Sequence, residues 1–246
     1  MSNTTNISFL TLPVELVYRI LDHQHIITVV CSMRNVCQRF NSIIDSYLPY
    51  QKFTTLNYDL SNADVKEIKY LANALRENMI LTTMDLSHSV ISNEGAKCLA
   101  HALRNNKTLV TLILSCTKID DTGIESLANA LQNNTTLTKL ALDSSKIEKS
   151  GAKHLADTLR NNTGLITVNL SCNQIGDSGA KYISNALRDN KTLVTLDLSK
   201  NNIGPSGVQD LADALECNEV IFILVFFFYI IHLFIFCHSE TYHIKS

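Results

Sequence analysis

Apolar and polar positions return in one order every 28 residues from Leu81 onward: Leu81, Leu109, Leu137, Leu165 and Leu193 are all spaced by that interval. The first half of each period alternates. Leu109-x-x-Leu112-x-Leu114-x-x-Thr117-x-Ile119 and Leu193-x-x-Leu196-x-Leu198-x-x-Asn201-x-Ile203 place leucines two apart, the spacing of a strand with one buried face. Met84 and Val168 fill the first of those two places in their own copies, an apolar exchange that keeps the pattern. In the second half Gly123, Ile124, Leu127, Ala128 and Leu131 fall at i, i+1, i+4, i+5 and i+8, one face of a helix, and Gly207, Val208, Leu211, Ala212 and Leu215 repeat it. Each period therefore predicts one short strand and one helix. A fixed period of this size predicts a stacked array of α/β class, with a parallel sheet on one side and helices on the other, because no single unit buries its own apolar face.

The small residues inside the period fit that reading. Glycine recurs at 95, 123, 151, 179 and 207, where a helix start lying close over its strand leaves no room for a side chain. Two residues earlier, Asn93, Asp121 and Asp177 suit helix N-caps, and Pro205 suits a first helical turn. The pairs Asn105-Asn106, Asn133-Asn134, Asn161-Asn162 and Asp189-Asn190 are expected to close the helices, since Asn tolerates the left-handed conformation. Residues 53–80 read as a decayed first copy, with Leu56 and Tyr58 standing 28 before Met84 and Leu86. Full copies follow at 81–108, 109–136, 137–164, 165–192 and 193–219, so the array is expected to span 53–219.

The pattern resembles the leucine-rich repeat of the ribonuclease-inhibitor type, which implies a horseshoe with the sheet on its concave face. That family places Asn or Cys at the ninth position; here Asn173 and Asn201 comply, while Ser89, Thr117 and Ser145 hold the same place. A hydroxyl makes fewer bonds than an amide, so the first three turns are expected to be looser. The residues alternating with the buried ones would form the concave partner face: Thr83, Asp85 and Ser87; Thr111, Ile113 and Ser115; Lys139, Ala141 and Asp143; Thr167, Asn169 and Ser171; Thr195, Asp197 and Ser199. Either they hold a partner by many hydrogen bonds, with Asp85, Asp143 and Asp197 offered to a basic segment, or they are repeat default and bind nothing tightly. No Trp, Tyr or Arg, the usual anchors of an interface, stands among them.

Ahead of the array, after a polar leader at 1–9, the segment 10–48 reads as three short helices. Pro13 suits a first turn, Glu15 the positive helix end, and Leu16, Ile20 and Leu21 one helical stripe; Val36, Cys37, Phe40, Ile43 and Ile44 make another. Leu12-Pro13-Val14-Glu15-Leu16, then Ile20-Leu21, then Val36-Cys37-x-x-Phe40 resemble an F-box, although Gln24 stands where that family has Leu. The resemblance implies docking onto a Skp-type adaptor of a cullin ubiquitin ligase, through Leu12, Pro13, Glu15, Leu16, Ile20, Leu21, Val36, Cys37 and Phe40. The other reading of this block is a helical cap on the first strand.

Composition narrows the chemistry. The chain has 246 residues with 21 Lys and Arg against 23 Asp and Glu, a net charge of −2 and no basic run, which disfavours nucleic-acid binding. Its seven cysteines are odd in number and scattered, and its start lacks the pattern of a secretory signal, so a reduced cytoplasmic or nuclear setting is expected. His88, His101 and His154 fall on different repeat positions and complete no metal site. Asp120-Asp121 resembles a catalytic pair but occupies a strand-to-helix turn, where capping is the better account. No phosphate loop or nucleophile motif appears, so the expectation is a non-catalytic protein with no cofactor and no metal.

Residues 220–237 are apolar apart from His232 and Tyr229, ahead of a short tail at 238–246. As a helix at about 1.5 Å per residue this segment would nearly cross a membrane. It also continues the register, with Ile221, Leu224 and Phe226 standing 28 after Leu193, Leu196 and Leu198, so a distorted terminal strand is the second reading; a segment foreign to the working protein is the third. The function expected is substrate reception for a Skp-cullin-F-box ubiquitin ligase with an unknown protein target. The alternatives are a ribonuclease-inhibitor-like scaffold or inhibitor, and a tail-anchored membrane protein displaying the array.

Overall fold

The structure, a computed structural model, describes residues 54–57, 65–77, 81–218 and 222–224. The helical block expected over 10–48, with every residue assigned there to adaptor contact, lies outside the described residues, as does all of the apolar segment beyond Leu224.

Strands and helices alternate as the period requires. The strands are β1 (Thr55–Asn57), β2 (Thr83–Asp85), β3 (Thr111–Ile113), β4 (Lys139–Ala141), β5 (Thr167–Asn169), β6 (Thr195–Asp197) and β7 (Phe222–Leu224). Between them run α1 (Val65–Glu77), α2 (Asn93–Leu103), α3 (Asp121–Leu131), α4 (Lys149–Leu159), α5 (Gly176–Asp189) and α6 (Pro205–Leu215). The seven strands form one parallel sheet in sequence order. Leu56, Met84, Leu112, Leu140, Val168 and Leu196 stand opposite one another across it, each 28 residues from the next. These side chains, the second strand leucine of each copy and the helical stripe are almost wholly buried in one continuous core. The last helix is barer. Val208 is half-buried and Ala212 exposed, because no further described helix packs against α6.

Beyond α6 the interval shortens. β7 pairs with β6 as Leu196 opposite Ile223 and Asp197 opposite Leu224, an offset of 27 in place of the expected 28. Of the apolar segment 220–237, where a membrane helix is one expectation, the described residues Phe222–Leu224 are strand. Among the described residues no helix is long and apolar enough to cross a membrane.

The asparagine pairs act differently from expectation. None of their members has a positive φ. The second member of each pair is buried instead, and its amide reaches back into the preceding repeat. Asn106, Asn134, Asn162, Asn190 and Asn218 donate from Nδ2 to the carbonyls of Leu75, Leu103, Leu131, Leu159 and Leu187, at 2.6 to 2.8 Å. Those carbonyls lie in the last turns of the preceding helices, where intrahelical donors run out; that of Leu131 also accepts from the Asn134 backbone N–H at 3.2 Å. Asn134 Oδ1 also accepts from the backbone N–H of Thr136 at 3.0 Å and Leu137 at 2.9 Å, turning the chain into the next strand. The left-handed residues lie elsewhere, just after the strands, at His88, Cys116, Ser144, Cys172 and Lys200. There the N–H of His88, Cys116, Ser144 and Cys172 bonds the carbonyl of Ser115, Asp143, Ser171 and Ser199 on the next copy.

The expected N-caps lie inside the helices, Asn93 and Asp121 one residue past the cap and Asp177 two. Ser92 and Asp120 cap α2 and α3, while Asn93, Asp121 and Asp177 bond the start of the following repeat's helix. Asn93 Oδ1 accepts from Asp120 N–H at 3.1 Å, Asp121 Oδ1 from Glu148 N–H at 2.8 Å, and Asp177 Oδ1 from the N–H groups of Gly204 and Gly207 at 2.6 and 3.1 Å. This explains the glycine. A β-carbon at Gly207 would stand 2.7 Å from both Asp177 Oδ1 and Ile203 Cγ2, so the crowding comes from the neighbouring repeat's carboxylate and the repeat's own loop isoleucine rather than from the strand. Lys149 occupies the corresponding place in the third full copy, 137–164, and has no acceptor to offer; the helix after it, α5, starts earlier, without a side-chain cap, at the left-handed Gly176.

The ninth-position difference is visible in bonding. Asn173 Nδ2 donates to Leu142, Leu170 and Ser171 carbonyls and its Oδ1 accepts from Ile147 N–H, whereas Thr117 donates once, to Leu114. Replacing Asn134 by Ala removes bonds to both neighbouring segments and leaves buried partners unmet, which should cost about 3 kcal/mol at roughly 1 kcal/mol per bond. Asn133→Ala, on the exposed neighbour, should stay within about 0.5 kcal/mol; urea unfolding of the two variants checks the contrast.

Candidate functional site

Because neighbouring strands share register, every alternate strand position becomes a row across the sheet on the face turned away from the helices. Thr83, Thr111, Lys139, Thr167 and Thr195 make one row; Asp85, Ile113, Ala141, Asn169 and Asp197 make the next. Ser87, Ser115, Asp143, Ser171 and Ser199 follow two residues further on. At strand spacing of about 4.8 Å the five strands β2 to β6 give each row a reach of roughly 19 Å. All of these residues are half-exposed except Lys139, which is exposed, and Ala141, which is buried. The expected face is thus assembled as read.

Its polar groups are already hydrogen-bonded within the sheet. Asp143 Oδ1 accepts from Ser115 Oγ at 2.6 Å on one side and from Asn169 Nδ2 at 3.0 Å on the other, spanning three repeats. Asp85 and Asp197 each accept from the backbone N–H two residues on, Ser87 and Ser199, at 2.9 Å, and Asn169 does the same for Ser171. In all three carboxylates the bonds fall on Oδ1. The carboxylates of Asp85 and Asp197 in one row and of Asp143 in the next are therefore held in fixed positions on alternate repeats, with Lys139 as the only cation among the expected residues. Sequence spacing identified the positions; the mutual bonds that fix them depend on side chains 26 and 28 residues apart and carry no local signal.

The other candidates resolve as structure. Asp120 caps α3 by accepting from Thr122 N–H at 2.9 Å and receives Asn93 Nδ2 at 2.7 Å. The Asn93 amide first, and then the Thr122 N–H, hold its carboxyl below the ordinary aspartate value, with burial working weakly the other way. Asp121 serves the next helix, so the two carboxylates do not converge on one atom. Among the described residues no three His, Cys, Asp or Glu side chains gather as a metal site; His88 and His101 stand at different positions of one repeat and His154 in another. Cys98, Cys116, Cys172 and Cys217 are free thiols.

The F-box domain model matches residues 9–52. The leucine-rich-repeat model matches five times, at 77–100, 105–128, 133–156, 161–184 and 189–212. No curated protein matches the chain. Among solved structures, it is similar to actin-binding site 2 of leiomodin-1 at 18% identity, covering 78% of this chain and 90% of that one with a TM-score of 0.43. It is similar also to the tropomodulin C-terminal domain of Caenorhabditis elegans at 14% identity, covering 68% and 84% with a TM-score of 0.44.

A depressed carboxyl adds stability above its unfolded-state value, about 3.9, and that contribution is lost as pH falls through the lower folded-state value. Asp120→Asn, which keeps a capping oxygen but does not titrate, should flatten that part of the acid limb. The free energy of urea unfolding, followed from about pH 5 to about pH 2, reads the difference.

Proposed function

Because this chain is an F-box and leucine-rich-repeat protein, we propose that it is the substrate receptor of a Skp-cullin-F-box ubiquitin ligase. Both parts are interaction domains. The observation that carries the reading is their order: an F-box at 9–52 is followed directly by repeats from 77 to 212, so an adaptor-binding end and a target-binding end are joined in one chain. In this reading Leu12, Pro13, Glu15, Leu16, Ile20, Leu21, Val36, Cys37 and Phe40 hold a Skp-type adaptor, and the sheet face of the array holds the protein to be modified. No residue of the chain performs the transfer of ubiquitin; the chain works by holding a target near the enzyme that does, in the cytoplasm or nucleus.

A preformed sheet face suits that role. Its residues sit on a rigid stack and need little ordering when a partner arrives, so less binding free energy is lost to immobilisation. Charge at Asp85, Asp143 and Asp197 favours a target segment with basic side chains, whose pairing would set orientation and on-rate more than affinity.

Two outcomes follow. The full chain should co-purify with a Skp adaptor, and a Leu12→Ala, Pro13→Ala variant should lose it; failure of the unaltered chain to bind would end the ligase reading and leave a scaffold or inhibitor. Changing Asp85, Asp143 and Asp197 together to Asn should lower capture of the ubiquitinated target while leaving adaptor binding unchanged, read by quantitative co-purification of both partners from the same cells.

A further inference from the structure

The helical side of the array carries a second surface that the receptor reading does not use. A groove of about 440 Å³ lies across α2, between α1 and α3, and its walls include Lys69, Lys97, His101 and Arg104. Lys97, His101 and Arg104 stand at i, i+4 and i+7, one stripe along α2, and Lys69 is the counterpart of Lys97 on α1. The stripe spans about 10 Å at the helical rise per residue.

This stripe is not the default of the repeat. The same three places hold Glu125, Asn129 and Gln132 on α3, Lys153, Asp157 and Arg160 on α4, Lys181, Asn185 and Arg188 on α5, and Gln209, Asp213 and Glu216 on α6. Of the cations that do recur, three have partners. Arg160 pairs with Asp189 at 3.5 Å, Arg188 reaches Cys217 Sγ at 3.8 Å, and Lys153 lies over the Tyr182 ring at 6.0 Å. In the groove the single carboxylate, Glu94, meets Lys97 only at 4.0 Å, while Lys69, His101 and Arg104 have no ion pair or side-chain hydrogen bond among the described residues. Three lysine and arginine charges thus face one carboxylate in a chain whose net charge is −2.

We infer that this groove is a docking site for an acidic segment of a partner protein. Charge complementarity selects an anionic occupant. The spread of the cations along the helix selects a polypeptide with several carboxylates over a compact single anion, since no arginine fork or cluster of backbone N–H groups converges on one point. Small side chains, Ala72 and Ala100, line the groove between the cations and leave space for a peptide backbone. The cations are exposed, so binding is weakened by salt.

The test is fluorescence anisotropy of a labelled octaglutamate peptide against the full chain, at low salt and at about 1 M salt, where the screening length falls to roughly 3 Å. Binding at low salt that disappears at high salt is expected. Lys97→Glu with Arg104→Glu should weaken it by roughly tenfold or more, and Lys69→Glu alone, on a different helix, should weaken it to a lesser degree. Lys181→Glu with Arg188→Glu makes the same change of net charge on α5 and should leave it unaltered, with the thermal melt of each variant confirming the fold. No binding at low salt, or equal loss in the α2 and α5 variants, would overturn the site. Tighter binding of a neutral peptide bearing one phosphoserine would overturn the carboxylate assignment. Adaptor capture through residues 9–52 is a separate readout, so failure of either proposal leaves the other standing.

Discussion

Intrahelical donors run out in the last turn of a helix, and in each of α1 to α5 a leucine carbonyl near that end receives a side-chain amide from the next repeat. The buried row Asn106, Asn134, Asn162, Asn190 and Asn218 supplies those amides, and most of the architecture follows from it. Nδ2 of each binds a carbonyl 31 residues back, and Oδ1 of Asn106, Asn134, Asn162 and Asn190 turns its own chain into the next strand. A buried polar group left unpaired costs as much as several good contacts supply, so the row fixes register as firmly as the leucines fix burial. The Asx residues at 93, 121 and 177 do the converse, reaching forward to the start of the following helix. Repeats are therefore locked by polar groups at both helix ends and by apolar packing in between, which is the nearest-neighbour coupling on which stacked arrays depend.

The sheet face inherits its geometry from that locking. Strand residues are only three per repeat, too few to hold a surface by themselves, yet their side chains form rows because each repeat is placed by its neighbours. Asp143 shows the consequence most clearly: one oxygen is shared by donors from the repeats before and after it. On the opposite side of the molecule the helices present surfaces that differ from copy to copy, since nothing in the packing constrains their outward positions. The face that is periodic and the face that is individual therefore offer separate places to bind, one through ordered rows and the other through a single unusual helix.

Much of this was legible in the chain. The 28-residue leucine interval predicted parallel strands, their register and the buried helix face, and the alternate residues predicted which side chains share the opposite face of the sheet. What escaped was any role that crosses repeats. Asn is suited both to left-handed turns and to buried amide bonding, and local reasoning chooses the turn. The discriminating signal was that the second member of the pair is Asn in every copy while the first varies to Asp189 and Cys217. Asn93 and Asp121 were misplaced for the same reason, because capping logic looks within one helix. The left-handed turns at His88, Cys116 and Cys172 have no residue-type signature, since tertiary bonds to the next repeat hold them. The offset of 27 at β7 was hidden by an uninterrupted apolar run in which any register looks equally good.

The direction of the asparagine bonds has a consequence for how the protein emerges during synthesis. A ribosome delivers the chain from its amino end, so each of α1 to α5, once complete, must wait for an amide lying 31 residues downstream to bond the leucine carbonyl near its end. At any moment the newest repeat on the nascent chain is open at its trailing end and is sealed only when its successor appears. Growth of the array is thereby one-way, each arrival finishing the unit made before it.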